Sequence, residues 1–346
     1  MSRSIENRRE LFEANKLYNE VSTSDGRLLI LSFEEAFGFF HILDNRLVNV
    51  YALKKESHSG EIILSRVLNV KKDIGAVFVK ISDEEEGFLK NTNIPERYLP
   101  LKQGDLIPVR IISDEQKGKR ISVSAKISEK NLPEGWQHKS AFNILYKPEN
   151  PLLSFIFKRF SKDDFSKMIT DSPEVFDIIK DIDKTGDQKL VAELYDDEKI
   201  SLTNLFSLKT KVSEALFPKV YLKSGGYLVI NHTEALTVID VNSGKNNPSK
   251  KEDKEKTVLD LNIEAAKEIA LQMKLRNISG MILIDFINME SEEDEELLLN
   301  EMSEYVKSDK VTVKVIDITP LGIMEITRQK TDKPLSEIYN LFSALS

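Results

Sequence analysis

Two carboxylates and one amide are the residues of this sequence best suited to chemistry. Asp240 and Asn242 lie near the end of SGGYLVINHTEALTVIDVNSG (224–244), and Asp285 closes the apolar run of GMILIDFINM (280–289). Each acid follows residues that read as a strand, and each is trailed by an amide, Asn242 or Asn288. A carboxylate where a strand gives way to a loop has a rigid backbone behind it and open space ahead. Oxygen donors without His or Cys suit Mg²⁺, with Mn²⁺ as the alternative, and do not suit zinc. Such an ion needs only one or two protein carboxylates when a phosphate completes its shell. It can deliver a hydroxide to phosphorus and stabilise the leaving oxygen. Asn242 is neutral, so it can orient a water or the phosphate without adding repulsion. Acids at strand ends also cap helices, and that reading stands beside the metal reading here.

The elements between the acids decide whether they meet. Leu261, Ala265, Ile269 and Met273 recur in steps of four, which predicts an amphipathic helix ending near Asn277 and Gly280. Strand, helix and strand in that order predict a crossover between parallel strands of one sheet, with both acids at one edge. Beyond Asp285 an acidic helix, a strand VTVKVIDI and the stretch TPLGIMEITRQK follow. Glu325 and Arg328 lie three apart there, so strand alternation puts them on opposite faces. A last helix is predicted over LSEIYNLFSAL.

The 346 residues suffice for two or three domains. With 40% hydrophobic and 31% charged residues, the composition is that of an ordinary globular protein. There is no cysteine, which excludes disulfides and thiolate metal sites and fits a cytoplasmic setting. No apolar run reaches the roughly 18 residues of a membrane span, and the N-terminus has no signal-peptide core. The net charge of −8 gives no general basic field, so a polyanion would be held by local basic patches or by metal. His41, His58, His138 and His232 show no ligand spacing.

From Tyr51 to Ser128 the texture is about five short strands broken by Gly, Asp and Asn turns, the strand count of a small oligonucleotide-binding (OB) barrel. Phe78 and Phe88 fall in its middle strands. A strand phenylalanine belongs more often in a core, but on such a barrel that face can stack unpaired bases. Lys117, Lys119 and Arg120 form a turn, KGKR, that is a solvated hairpin tip or, beside exposed aromatics, a phosphate contact. Between Asn131 and Lys223, NPLLSFIFKRF, DSPEVFDIIKDI and SLTNLFSLKTKVSEALF read as helices, and Trp136 as a surface packing residue. The charged run 245–256 is a solvated excursion or a mobile basic flap beside Asp240.

SGGYLVINHTEALTVIDVNSG, LNIEAAKEIALQMKLRNISGMILIDFINM and PLGIMEITRQK, in that order, resemble the ribonuclease E/G family. The resemblance covers most of residues 26–330 and is strongest over 224–330. It implies an α/β fold of several subdomains. An S1-like OB barrel (51–128) is inserted in a ribonuclease H-like subdomain (1–50 and, with a linker, 129–215), and a DNase I-like catalytic subdomain (216–346) follows. It implies a metal-dependent endoribonuclease of RNA processing or decay that cuts single-stranded, often A/U-rich RNA and leaves a 5′-phosphate. Asp240 and Asp285 would hold Mg²⁺, Asn242 would help orient the attack, and Phe78, Phe88 and Lys119 would carry RNA. The family's zinc-linking cysteines are absent, which excludes zinc and leaves room for a homodimer without a zinc link. The family's segment for sensing a 5′-monophosphate has no match between Ser128 and Lys158, so entry at internal single-stranded sites is expected. Residues 1–20 precede the family's usual start. The alternative is a non-cleaving RNA-binding or ribosome-associated protein of the same fold.

Overall fold

The computed structural model describes residues 26–113, 120–148, 150–180, 190–244 and 251–342, and among them the strands form three sheets. The chain divides into two compact units, residues 53–158 and the remainder. No helix of the described residues is long and apolar enough to cross a membrane.

The first sheet joins residues from both sides of the 53–158 unit. Its order is β11-β10-β1-β2-β3, with β1 at Arg27–Ser32, β2 at Ala36–Leu43, β3 at Arg46–Lys54, β10 at Lys167–Thr170 and β11 at Val191–Leu194. β1 is antiparallel to β2 and parallel to β10. Leu28 to Leu31 and Phe39 to Ile42 are all buried, so these central strands have no wet face. Their near-continuous apolar sequence follows from that double burial. Helices α3 (Leu202–Leu205), α4 (Leu208–Leu216) and α7 (Leu335–Ile338) contribute Leu202, Val212 and Leu335 to this core. SLTNLFSLKTKVSEAL is thus two helices rather than one, parted at Ser207, whose left-handed φ of 51° breaks the turn. In α2 (Pro173–Ile179) the Ser172 hydroxyl accepts from the Val175 N–H, and Pro173 occupies the first turn.

The 53–158 unit is a barrel. β4 (Ile62–Lys71), β5 (Ala76–Lys80), β6 (Glu86–Lys90), β7 (Leu106–Ser113) and β8 (Ile121–Ser124) run in the order β5-β6-β8-β7-β4, and β4 closes the ring on β5. A sixth strand, β9 (Ile144–Tyr146), adds to β4 outside the ring. Five strands closed this way are consistent with an OB fold. Helix α1 (Pro151–Arg159) leads out of the unit. Trp136 packs with Leu132 beside Ile62, Leu64, Ile127 and Leu145, a packing role rather than a free platform.

The third sheet has the order β12-β13-β14-β15-β17-β16. Its strands are β12 (Lys219–Tyr221), β13 (Tyr227–His232), β14 (Leu236–Asn242), β15 (Gly280–Asp285), β16 (Val313–Ile318) and β17 (Ile323–Arg328). Helix α5 (Lys251–Leu275) connects the parallel pair β14 and β15. Its Leu261, Ala265, Ile269 and Met273, together with Leu298 and Met302 of α6 (Glu292–Tyr305), pack on Leu228, Ile230, Ile239, Val241, Ile282 and Ile284. One face of this sheet is therefore dry and helix-covered. The other alternates with it residue by residue. The run 251–256 lies in α5, as its Glu and Lys content allows. Residues 245–250 and 1–20 lie outside the described residues.

Candidate active site

Alternation along β14 buries Ile239 and Val241 and turns Asp240 and Asn242 to the other face. On β15 the same rule buries Ile282 and Ile284 and turns Asp285 outward. The two strands are parallel and in register, with Asp240 paired directly to Asp285. The two Cα atoms thus stand about 4.8 Å apart, the spacing of neighbouring strands. Convergence of the acids is a property of the ladder and needs no loop to fold over. Asp285 ends its strand, whereas β14 runs on two residues past Asp240 to Asn242, so Asp240 is held inside the sheet.

Asn242 Nδ2 donates to Asp240 Oδ2 at 2.8 Å. These residues are two apart on one strand and so share a face. The amide therefore fixes the carboxylate's rotamer and leaves its other oxygen available. Among the described residues neither acid forms an ion pair. Two outward carboxylates side by side repel, and a divalent cation is the natural compensation. Among the described residues there is no cluster of three or more His, Cys, Asp or Glu placed to hold a metal. An ion here would take two protein carboxylates and complete its shell elsewhere. That suits Mg²⁺, which keeps waters or substrate phosphates, and the all-oxygen donor set fits it.

Two polar side chains of α5 fix the surrounding loops. Asn262 of α5 is fully buried, yet it is hydrogen-bonded twice to one peptide unit: its Nδ2 donates to the Ile287 carbonyl at 2.8 Å, and its Oδ1 accepts from the Ile287 N–H at 3.1 Å. That clamps the chain two residues beyond Asp285. Two residues further along α5, the Glu264 carboxylate accepts from the Lys223 N–H at 2.7 Å and the Ser224 N–H at 3.2 Å, holding the turn into β13. Glycines allow the turn into β13 and the chain leaving β14 to approach closely: a Cβ on Gly226 would sit 2.8 Å from the Asn242 carbonyl, and one on Gly244 would sit 2.4 Å from the Gly225 carbonyl. Sequence reasoning missed Asn262 and Glu264. The available signal was a polar residue, Asn262, at a position of the buried stripe.

Other residues separate into supporting and remote. Glu325 lies on the outer face opposite Leu283, two residues back along the ladder from Asp285. Arg328 is buried on the inner face, where Nε donates to Asp309 Oδ2 at 2.8 Å and Nη1 to Asn277 Oδ1 at 2.6 Å. The predicted opposition of Glu325 and Arg328 is observed, and Arg328 is a brace. His232 pairs with Thr237, at the far end of the hairpin from Asp240, with its Nδ1 3.0 Å from the Thr237 hydroxyl. Burial and the nearby Arg276 both lower its pKa. It packs there and does not approach the acids.

On the barrel, Phe78 and Phe88 are directly paired across β5 and β6, with ring centroids 5.7 Å apart. Their neighbours Val77, Val79 and Leu89 fill the interior, so both rings lie on the outer surface and the core alternative fails. The Arg120 guanidinium sits 4.6 Å from the Phe78 centroid and is 2.8 Å from Glu86. Lys119 lies outside the described residues.

Residues 70–331 match the Ribonuclease E/G family. The chain is 28% identical over 362 residues to Ribonuclease E of Synechocystis sp., covering 93% of this chain and 52% of that protein. It is 30% identical over 364 residues to a Ribonuclease E/G-like protein of Pyropia yezoensis, covering 94% and 69% respectively. It is 37% identical over 135 residues to Ribonuclease G of Salmonella typhimurium, covering 39% and 27%. The chain thus spans about half the length of the cyanobacterial relative. With a match that takes in most of the barrel and the whole acid-bearing sheet, the chain belongs to the Ribonuclease E/G family.

Proposed function

We propose that this chain is a Mg²⁺-dependent endoribonuclease acting on single-stranded RNA in RNA processing or decay, and that it leaves 5′-phosphate ends. The in-register pair Asp240 and Asp285 on the outer sheet face carries this reading. Those two carboxylates would hold the ion, which supplies Lewis-acid stabilisation of phosphoryl charge and an activated water when bound. Asn242 keeps Asp240 in one orientation and has a second amide hydrogen to offer substrate or water. Phe78 and Phe88 offer stacking surfaces for unpaired bases, with Arg120 beside them for phosphate. The relatives' names, Ribonuclease E and Ribonuclease G, point the same way.

The test is cleavage of a fluorescent single-stranded RNA by the full chain, with and without Mg²⁺. Asp240→Asn and Asp285→Asn should each reduce cleavage by at least about a thousandfold, some 4 kcal/mol of barrier, with RNA still bound. RNA binding without Mg²⁺-dependent cleavage in the parent protein would support the non-cleaving alternative instead.

A further inference from the structure

The acid pair is one part of a longer row on the outer sheet face. Lys219 of β12 pairs with Val229, Val229 with Asp240, and Asp240 with Asp285. One row further along, Tyr221 pairs with Tyr227 and Tyr227 with Asn242. Directly paired residues share a face, so a lysine and two tyrosines stand beside the acids at the same end of the sheet. At about 4.8 Å per strand, the Lys219 backbone is about 10 Å from that of Asp240. The Lys219 ammonium lies 3.7 Å from the Tyr227 ring centroid and 4.8 Å from that of Tyr221. Tyr221 is 73% exposed, on an edge strand. Along the same edge, Lys211, Phe217, Lys219 and Tyr221, together with Glu214 and Glu268, line a cavity of about 740 Å³.

We propose that Lys219, Tyr221 and Tyr227 form a nucleotide subsite for the RNA strand leading to the acid pair. Tyr221 stacks a base, Tyr227, whose ring is tilted 57° to that of Tyr221, seats the Lys219 ammonium, and Lys219 contacts the phosphate beside the base. The proposal rests on the endoribonuclease reading for its substrate and extends that reading to residues outside the Asp–Asn–Asp site. A fixed cation among aromatic rings matches the two chemistries of a nucleotide, a π-face and an anion. The register ties this patch to the acids through rigid backbone, so a strand held here passes the cleavage position. A net charge of −8 makes local cation placement the means of holding a polyanion.

The test uses the full chain carrying Asp285→Asn, so that RNA is bound without turnover, and a labelled single-stranded oligoribonucleotide read by fluorescence anisotropy. Tyr221→Ala should raise Kd roughly tenfold to a hundredfold, the range of one lost base stack. Tyr221→Phe should restore most of the affinity, because the ring does the stacking. Lys219→Gln should weaken binding to all sequences alike and reduce the salt slope by about one. Replacing one nucleotide at a time by an abasic unit should reveal a position at which Tyr221→Ala costs nothing further. Wild-type Kd and salt slope in Tyr221→Ala and Lys219→Gln would overturn the subsite. So would a change in sedimentation without a change in RNA affinity, which would mark the face as a contact between two copies. Tyrosine-dependent binding in a parent protein that never cleaves would support the subsite while removing the nuclease reading.

Discussion

Two sheets of one unit use the same β geometry to opposite ends. In the first sheet Leu28 to Leu31 of β1 and Phe39 to Ile42 of β2 are buried on both faces, down to His41. In the third, β14 alternates buried and half-exposed residues along its whole length. The doubly buried strands have nowhere to admit a charged substrate, and their side chains set stability. The alternating strands give one face to α5 and α6 and keep the other for polar groups on fixed backbone. Chemistry belongs where a strand is half wet, and structural cost where it is dry.

Substitutions in the two sheets should separate cleanly. Asp240→Asn and Asp285→Asn should abolish cleavage, the loss of at least about a thousandfold given above, and leave thermal stability within about 0.5 kcal/mol. Phe40→Ala should do the reverse. Phe40 is fully buried against Phe33 and Phe342, at centroid distances of 6.4 and 5.2 Å. Its truncation should cost about 3–5 kcal/mol in denaturant unfolding, with the folded fraction cleaving at the parent rate. A stable Phe40→Ala protein, or an unfolded Asp285→Asn one, would erase the contrast.

His41 offers a smaller, pH-dependent probe of the dry sheet. Its Nε2 donates to the Asp164 carbonyl at 2.8 Å, and burial lowers its pKa to about 4 against the opposing pull of Asp164. The unfolded chain therefore binds the proton more readily than the folded one between pH 4 and the ordinary histidine value of 6.5. Stability contributed by the neutral ring is complete above the unfolded pKa and is lost as pH falls toward 4, about 3 kcal/mol in all. Unfolding free energies measured across that window should fall with acid in the parent protein and fall less steeply in His41→Gln.

Asn262 is the corresponding probe of the half-wet sheet. Asn262→Ala removes both hydrogen bonds to the Ile287 peptide. If Asp285 holds an ion as proposed, loss of the clamp on the chain two residues beyond it should lower cleavage by about tenfold to a hundredfold, with RNA affinity little changed. Unaltered cleavage in this variant would show that the ladder alone positions Asp285.

Much of this was legible in the sequence, for identifiable reasons. The period of two around Asp240 and Asp285 and the steps of four from Leu261 to Met273 are direct consequences of burying one face, so strand, helix and strand could be read together. The five barrel strands were marked by their turns. What escaped was what depends on a partner far along the chain. Asn262 serves Ile287, and Glu264 serves Lys223 and Ser224, and neither pairing leaves a local trace. The outward placement of Phe78 and Phe88 could not be separated from a core placement until Val77, Val79 and Leu89 were seen to fill the interior. The row from Lys219 to Asp285 was hidden for the same reason, because its residues meet only through strand pairing.

The central claim is that Asp240 and Asp285 share one divalent ion. Crystals of the protein equilibrated with Mn²⁺ and measured for anomalous scattering test it most directly. The account predicts a single peak bridging carboxylate oxygens of both residues at about 2 Å, absent in Asp240→Asn. A peak bound by only one acid, or none there in protein that still cleaves RNA, would contradict it.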